Sequence, residues 1–295
     1  MQKRAWLCPT DLSPSSDESV RLAVDLAASL GDVSLVLLHV DQLPTYGLPE
    51  GSVLDAASRQ EWAARLQALA ARHRRTVEIE TQVRQGRAHS KILESADELA
   101  AEVIVMGTTG RSRLEATLLG SVAEKTMRLS SIPVLVVPTG SAMPVPRSHR
   151  ALCPVDVSAE HSVEAARGAI RTAVQLGAEH VSLLHVFEVP LSLALMDHGT
   201  RRDEAIASLT ARERARLASL QERCQELGAR VEGAFVEGTV HDEISRRART
   251  HGFEVIVMPT HGRGTVGQFL LGSVAAKVVR TSTVPVCTIR IQGLD

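Results

Sequence analysis

Residues 102–134, EVIVMGTTGRSRLEATLLGSVAEKTMRLSSIPV, recur as EVIVMPTHGRGTVGQFLLGSVAAKVVRTSTVPV at residues 254–286, with 19 of 33 positions identical. The shorter stretch LCPTDLS at residues 7–13 likewise recurs as LCPVDVS at residues 152–158. Self-similarity at a regular spacing indicates that one structural unit has been duplicated. The 295 residues are therefore predicted to form two copies of one domain.

The boundary between the copies is predicted from a change in composition. Residues 139–150 carry Gly140, Pro144 and Pro146 among small and polar residues, as expected of a connection between domains. We assign the first domain to residues 1–140 and the second to residues 148–295.

Each copy alternates apolar strands with helices. In the first copy, Ser13 and Pro14 mark a helix start and Gly31 marks its end. The predicted strands of this copy are Ala5–Pro9, Val33–Val40, Val77–Val83, Val103–Met106 and Pro133–Val137. This order predicts an α/β fold of two doubly wound, flavodoxin-like domains, each a five-stranded parallel sheet flanked by helices.

The composition excludes several classes of protein. The net charge is −1, so no basic surface for nucleic acid or an anionic membrane is indicated. Only 2% of the residues are aromatic, which leaves few rings on which single-stranded bases could stack. No apolar run reaches the roughly 18 residues of a membrane span. The four cysteines show no C-x-x-C pairing and no metal-ligand spacing, so they are predicted to be small apolar side chains in a reducing compartment. We therefore expect a cytoplasmic protein without a metal site.

A glycine-rich loop after the fourth strand is the strongest candidate for a ligand site. Gly107, Gly110, Gly120 and Ser121 form the pattern G-x2-G-x9-G-S, and a helix is predicted over Gly120–Leu129. Ligands of doubly wound sheets bind at the carboxyl ends of strands beside the switch point, and helix N-termini attract phosphate. Ser121 is predicted to cap this helix, to bind a phosphate, or both; a tight turn with an ordinary Ser cap is the alternative.

These motifs resemble those of the universal stress proteins, in their tandem form. The resemblance covers the whole chain and includes LLHV at residues 37–40 and 183–186, besides the glycine motif of the ATP-binding branch. It implies an adenine nucleotide alpha hydrolase-like fold that binds ATP, with Mg²⁺ as an accompanying ion. The implied ATP-binding residues of the first copy are Pro9, Thr10, Asp11, Val40, Met106, Gly107, Gly110, Arg111, Gly120, Ser121 and Val122.

The second copy departs from the glycine pattern at one position. Pro259 stands where the first copy has Gly107, and proline lacks an N–H and cannot adopt a left-handed turn. We therefore expect weaker or altered nucleotide binding there. The corresponding residues are Pro154, Val155, Asp156, Val186, Met258, Gly262, Arg263, Gly272, Ser273 and Val274.

Several individual residues have a structural interpretation beside the functional one. Asp11 and Asp156 are predicted to contact the nucleotide or Mg²⁺, but Asp before Leu-Ser or Val-Ser also suits a turn. His39 and His185 are predicted to be hydrogen-bonded core histidines rather than ligands or bases. Arg111 and Arg263 are equally suited to pair with phosphate or to face solvent.

The sequence predicts binding rather than catalysis. It contains no P-loop, no G-x-S-x-G and no H-E-x-x-H motif, and a dinucleotide fold would carry G-x-G-x-x-G where PTDLS stands at residues 9–13. We expect a stress-response binding protein. The alternatives are a nucleotide-free scaffold and a slow ATPase or phosphotransferase with Ser121 or Thr109 as acceptor.

The resemblance further implies that the last strands, Pro133–Val137 and Pro285–Ile289, pair with each other, and it allows a homodimer.

Overall fold

The computed structural model describes residues 3–42, 56–73, 76–108, 119–140, 149–195, 199–260 and 271–291. Contacts within the chain divide it into two units, residues 1–145 and 146–295. None of the helices in the described ranges is long and apolar enough to cross a membrane.

Within its described residues, the first unit contains one parallel sheet. Its strands are β1 (Arg4–Pro9), β2 (Val33–Asp41), β3 (Ile79–Gln85), β4 (Val103–Gly107) and β5 (Val134–Val137). They lie in the order β3-β2-β1-β4-β5, and every neighbouring pair is parallel. The helices are α1 (Pro14–Leu30), α2 (Ala56–Ala71), α3 (Ala88–Glu98) and α4 (Ser121–Leu129).

The second unit repeats this arrangement. Its strands are β6 (Arg150–Pro154), β7 (His180–Phe187), β8 (Arg230–Glu237), β9 (Val255–Pro259) and β10 (Val286–Ile289). They lie in the order β8-β7-β6-β9-β10 and are parallel throughout. The helices are α5 (Ser162–Gln175), α6 (Leu191–Ala194), α7 (Thr200–Glu222), α8 (Val240–Thr250) and α9 (Ser273–Thr281).

The predicted fold class is confirmed. Strand and helix alternate as expected, and each sheet has five parallel strands with helices packed against it. The strand order 3-2-1-4-5 adds a detail, because flavodoxin itself has the order 2-1-3-4-5. In both orders there are two adjacent strands whose following connections run to opposite sides of the sheet. Ligands bind at this switch point, outside the carboxyl ends of the two strands. Here the two strands are β1 and β4 in the first unit, and β6 and β9 in the second.

The first helix shows how local sequence sets these boundaries. Ser13 is the N-cap of α1, and its hydroxyl accepts a hydrogen bond from Ser16 N at 3.4 Å. Pro14 follows at the first helical position, where its missing N–H costs nothing. Gly31 ends the helix in the left-handed conformation, with φ of 77°. All three predicted roles are confirmed.

The sheets are built from aliphatic side chains and a few larger groups. Trp6 in β1 is fully buried and is one of the largest side chains of the first core. The four cysteines, Cys8, Cys153, Cys224 and Cys287, are also buried. Burial raises the pKa of the Cys8 thiol to about 12 and raises that of Cys153 and Cys287 as well. These cysteines therefore behave as small apolar side chains, as predicted.

Candidate functional site

A cleft of about 430 Å³ opens at the carboxyl ends of β1 and β4 in the first unit. It lies at the switch point of the sheet, where a ligand is expected. Its volume falls in the range of pockets that hold small molecules and cofactors. The lining residues are Pro9, Thr10, Asp11, Ser16, Leu38, His39, Val40, Asp41, Gln42, Ala88, Ile92, Met106, Gly107, Thr108, Gly120, Ser121, Val122 and Ala123.

The first wall of the cleft is the turn that follows β1. Asp11 Oδ1 accepts hydrogen bonds from Ser13 N at 3.0 Å and from Ser13 Oγ at 2.6 Å, which makes an Asx turn. Leu12 adopts a left-handed conformation with φ of 60°, and its N–H donates to Thr10 Oγ1. Asp11 is thus the turn residue that one interpretation predicted, and the same turn places it at the cleft.

The second wall is the end of β2, from Leu38 to Gln42. The side chain of His39 is buried, and its Nδ1 donates to the carbonyl oxygen of Thr10 at 2.9 Å. Its ring lies against Trp62 of α2, with the ring centroids 4.5 Å apart. The prediction of a hydrogen-bonded core histidine is therefore confirmed. Its contacts hold the ends of β1 and β2 in a fixed arrangement below the cleft.

The third wall joins the end of β4 to the start of α4. Gly120 N donates to Thr108 O at 2.7 Å, so the two ends of the glycine loop are fixed to each other. Gly120 is the N-cap of α4, and Ser121 is the first helical residue and is exposed. The predicted Ser cap is wrong: no side chain caps this helix, because the extended backbone that leads into it belongs to Gly120.

The backbone N–H of Gly107 points toward the cleft. Thr108 N donates to Val137 O of β5 at 3.1 Å. Successive N–H groups of a strand point to opposite sides, so that of Gly107 points toward β1. The register of β1 with β4 reaches as far as Leu7 and Ile104, and Gly107 lines the cleft beyond that point. Gly107 lies within the strand and is not among the glycines with positive φ, so the first unit makes no left-handed turn at this position.

The cleft brings together every predicted residue of the first copy that the structure describes. These residues are Pro9, Thr10, Asp11, Val40, Met106, Gly107, Gly120, Ser121 and Val122. Gly110 and Arg111 lie outside the described residues. Sequence reasoning missed Ala88 and Ile92 of α3, which also line the cleft. No motif marks them; they reach the site because α3 packs beside β1 and α4.

The second unit reproduces the turn and the loop closure of the first. Asp156 Oδ1 accepts from Ser158 N at 3.0 Å and from Ser158 Oγ at 2.6 Å. Gly272 is the N-cap of α9, and its N–H donates to Thr260 O at 2.7 Å. The predicted residues Ser273 and Val274 begin α9, and Pro154, Val155, Val186 and Met258 lie at or next to the carboxyl ends of β6, β7 and β9. Gly262 and Arg263 lie outside the described residues.

Pro259 fits the strand that carries it without disturbing the sheet. It pairs with Ile289 of β10 as Gly107 pairs with Val137 of β5. Thr260 N donates to Ile289 O at 2.9 Å, which matches the bond made by Thr108 in the first unit. The difference between the units at this position is therefore the missing N–H and the added ring of proline, not a change of fold.

A model of the universal stress protein family matches residues 4–138 and 148–290, so it covers both copies. The chain belongs to this family. A universal stress protein of Mycolicibacterium smegmatis is 27% identical over 301 residues, which cover 96% of each chain. Universal stress protein MJ0531 of Methanocaldococcus jannaschii is 36% identical over 133 residues, which cover 44% of this chain and 78% of that protein.

The same fold is found in a solved structure. The crystal structure of a universal stress protein from Archaeoglobus fulgidus aligns with a TM-score of 0.65 and 23% identity, covering 100% of this chain and 98% of that one. This protein is therefore a tandem universal stress protein, with one family domain in each unit.

The two universal stress protein units differ in what supports the strand histidine. His185 Nδ1 lies 3.0 Å from Val155 O, as expected from His39 in the first unit. Its Nε2 lies 2.9 Å from Glu213 Oε2 on α7, and Phe235 packs against the ring at 5.5 Å. The first unit has Trp62 against its histidine instead. Both histidines thus pack against an aromatic ring, and His185 also has the Glu213 carboxylate within hydrogen-bond distance.

Replacing Glu213 tests whether this polar contact stabilises the second unit. We expect Glu213→Ala to lower the free energy of unfolding by about 1–3 kcal/mol, because the buried His185 Nε2 loses its partner. Glu213→Gln should lose less than half as much, since an amide can still bond to the ring. Calorimetric unfolding of the two variants measures the difference. Equal losses would mean that the amide cannot replace the carboxylate, and no loss in either variant would mean that this contact does not stabilise the unit.

Proposed function

We propose that the first unit binds ATP in the cleft between β1 and β4, and that the protein acts as a nucleotide-binding member of a stress response. The observation that carries this proposal is that three features lie together at the switch point. They are the N–H of Gly107, the N-terminus of α4 at Gly120, and a cleft of about 430 Å³ that contains both. Backbone N–H groups and a helix N-terminus favour phosphate oxygens.

The resemblance to the ATP-binding branch of the family implies the roles of the walls, and their chemistry is consistent with these roles. Val40 and Met106 offer apolar surface and backbone groups to the adenine ring, and Asp11 offers a carboxylate to the ribose hydroxyls or to Mg²⁺. Gly107, Gly120 and Ser121 bind the phosphates. The net charge of −1 is consistent with phosphates held by backbone N–H groups rather than by a large basic surface.

The proposed activity is binding, in the cytoplasm, with hydrolysis slow at most. Among the described residues, those that line the cleft include no lysine that would stabilise a phosphoryl group in transfer. One observation favours phosphotransfer as a second candidate: the hydroxyl of Ser121 is exposed at the cleft and caps nothing.

In the second unit, Pro259 supports weaker nucleotide binding or a role as a nucleotide-free scaffold. Pairing of the two domains through their last strands stays a prediction from the family.

Mass spectrometry of the purified and then denatured protein tests the proposal. We expect co-purified adenine nucleotide near one equivalent, and in titration one tight site and one weaker site for ATP. A protein that carries no nucleotide and binds none in titration would favour the scaffold. Two equal sites would contradict the proposed difference between the units. Turnover well above background that is lost in Asp11→Ala would favour an enzyme.

A further inference from the structure

Four basic residues lie on α3 and α4 of the first unit, beside the cleft. Arg87 is the N-cap of α3, and His89 lies in its first turn. Lys125 and Arg128 lie three residues apart on α4, so they share one face of that helix. The two helices pack against each other, and we call these four residues the basic cluster.

Three members of the basic cluster lie close enough to act on the fourth, His89. Burial lowers the pKa of the His89 imidazole, and the positive charges of Lys125, Arg87 and Arg128 lower it further. A like charge acts on a pKa in this way only over short distances. The cluster therefore concentrates positive charge around one partly buried ring.

Carboxylates do not neutralise this charge within the described part of the chain. There, neither Arg87, Lys125 nor Arg128 forms an ion pair or a hydrogen bond with an acidic side chain. The Nε–H of Arg128 is buried and has no hydrogen-bond partner among the same residues. By contrast, Lys91 of α3 pairs with Glu94 at 2.5 Å. An unpartnered buried donor is costly, so an acceptor other than the described side chains is expected.

The second unit provides an internal comparison. It keeps three of the basic residues, as His241, Lys277 and Arg280. However, α8 begins with Asp242 and Glu243, where α3 has Ser90 and Lys91. Asp242 Oδ1 lies 3.4 Å from His241 Nε2, and so the second unit supplies its own negative charge next to the histidine. Among the described residues, the second unit thus places carboxylates at the start of α8, where the first unit has Ser90 and Lys91 in α3.

We infer that the basic cluster is a phosphate-binding subsite at the edge of the cleft. A phosphate group offers several oxygens and a charge near −2, which suits guanidinium and ammonium groups that converge on one point. Ala88, between Arg87 and His89, lines the cleft, and so do Gly120–Ala123, which precede Lys125 on α4. The burial of Arg128 Nε favours a small anion as the ligand. A small anion can reach an enclosed donor, whereas a flat acidic protein surface cannot.

Pyrophosphate is a suitable probe, because its binding to the subsite does not require that the cleft hold ATP. Equilibrium dialysis of the full chain should show binding that weakens about tenfold or more in the double variant Lys125→Gln/Arg128→Gln. The matched change in the second unit, Lys277→Gln/Arg280→Gln, should leave it unchanged. Lys125→Gln alone, at an exposed position, serves if the double variant unfolds.

The imidazole of His89 provides a second measurement. Pyrophosphate should move the midpoint of the His89 proton NMR titration to higher pH, because a bound anion offsets the charges around the ring. No shift of this midpoint, or equal weakening by the two double variants, would overturn the subsite. Binding that persists unchanged in the Lys125 and Arg128 variants would overturn it too.

A competition experiment identifies the source of the phosphate. If ATP displaces pyrophosphate, the subsite holds a phosphate carried by the ligand of the cleft; if both bind together, it holds a free phosphate. Either result supports the subsite. Pyrophosphate binding in a protein that does not bind ATP would contradict the proposed function and leave the subsite in place.

Discussion

Changing Gly107 to proline should weaken ATP binding by the first unit about tenfold to a hundredfold, the cost of one hydrogen bond to a charged group. The N–H of Gly107 points toward the cleft, and proline removes that donor and places a ring there. The fold should tolerate the change, because the second unit carries Pro259 at the same position of an equivalent strand. Calorimetric titration with ATP measures the loss.

The reverse change gives a matched control within the same chain. Pro259→Gly restores an N–H to β9, so ATP binding by the second unit should strengthen. Circular dichroism of both variants should match the unchanged protein. If Gly107→Pro folds normally and binds ATP with unchanged affinity, the proposed contact between Gly107 and a phosphate is wrong.

Replacing Trp6 should cause the largest loss of stability among these variants. Trp6→Ala removes a fully buried side chain from the central strand of the first sheet, where Trp6 pairs with Leu35 and Val103. Losses of this kind are about 3–5 kcal/mol. Both tryptophans lie in the first unit, so the fluorescence of the remaining Trp62 reports the unfolding of that unit in urea.

Trp6→Phe separates the volume of the ring from its polar atom. The indole Nε1–H is buried without a partner among the described residues, and phenylalanine removes it while keeping most of the apolar contacts. We expect a loss within about 1.5 kcal/mol. A loss for Trp6→Ala below about 1 kcal/mol would mean that neighbouring side chains fill the space that the ring leaves. The second unit has the fully buried Ala151 at the equivalent position.

The duplicated segments made the fold predictable from sequence. The same cap, turn and strand residues occur twice, and Ser13, Pro14 and Gly31 act locally, so their roles do not depend on distant contacts. The walls of the cleft were predictable for a similar reason. Asp11 follows the end of β1 and Gly107 ends β4, and the topology of the sheet brings those ends together.

The features that escaped prediction depend on packing between distant segments. Glu213 is one of several charged residues on α7, and only its contact with His185 distinguishes it. Arg87 and Lys125 are separated by 38 positions in the chain, and the packing of α3 on α4 makes them neighbours. At Gly107, the sequence pattern does not reveal that the strand continues through this position without a left-handed turn.

The buried cysteines allow the two halves of the protein to be followed separately. Alkylating reagents attack the thiolate, and burial both shields these thiols and holds them protonated. Each should therefore be labelled only when its surroundings open. Cys8 lies in the first unit, and Cys153, Cys224 and Cys287 lie in the second. Peptide mass analysis of a labelling time course would thus give an opening rate for each half of an unmodified chain, and a ligand that occupies one cleft should slow the labelling of that half alone.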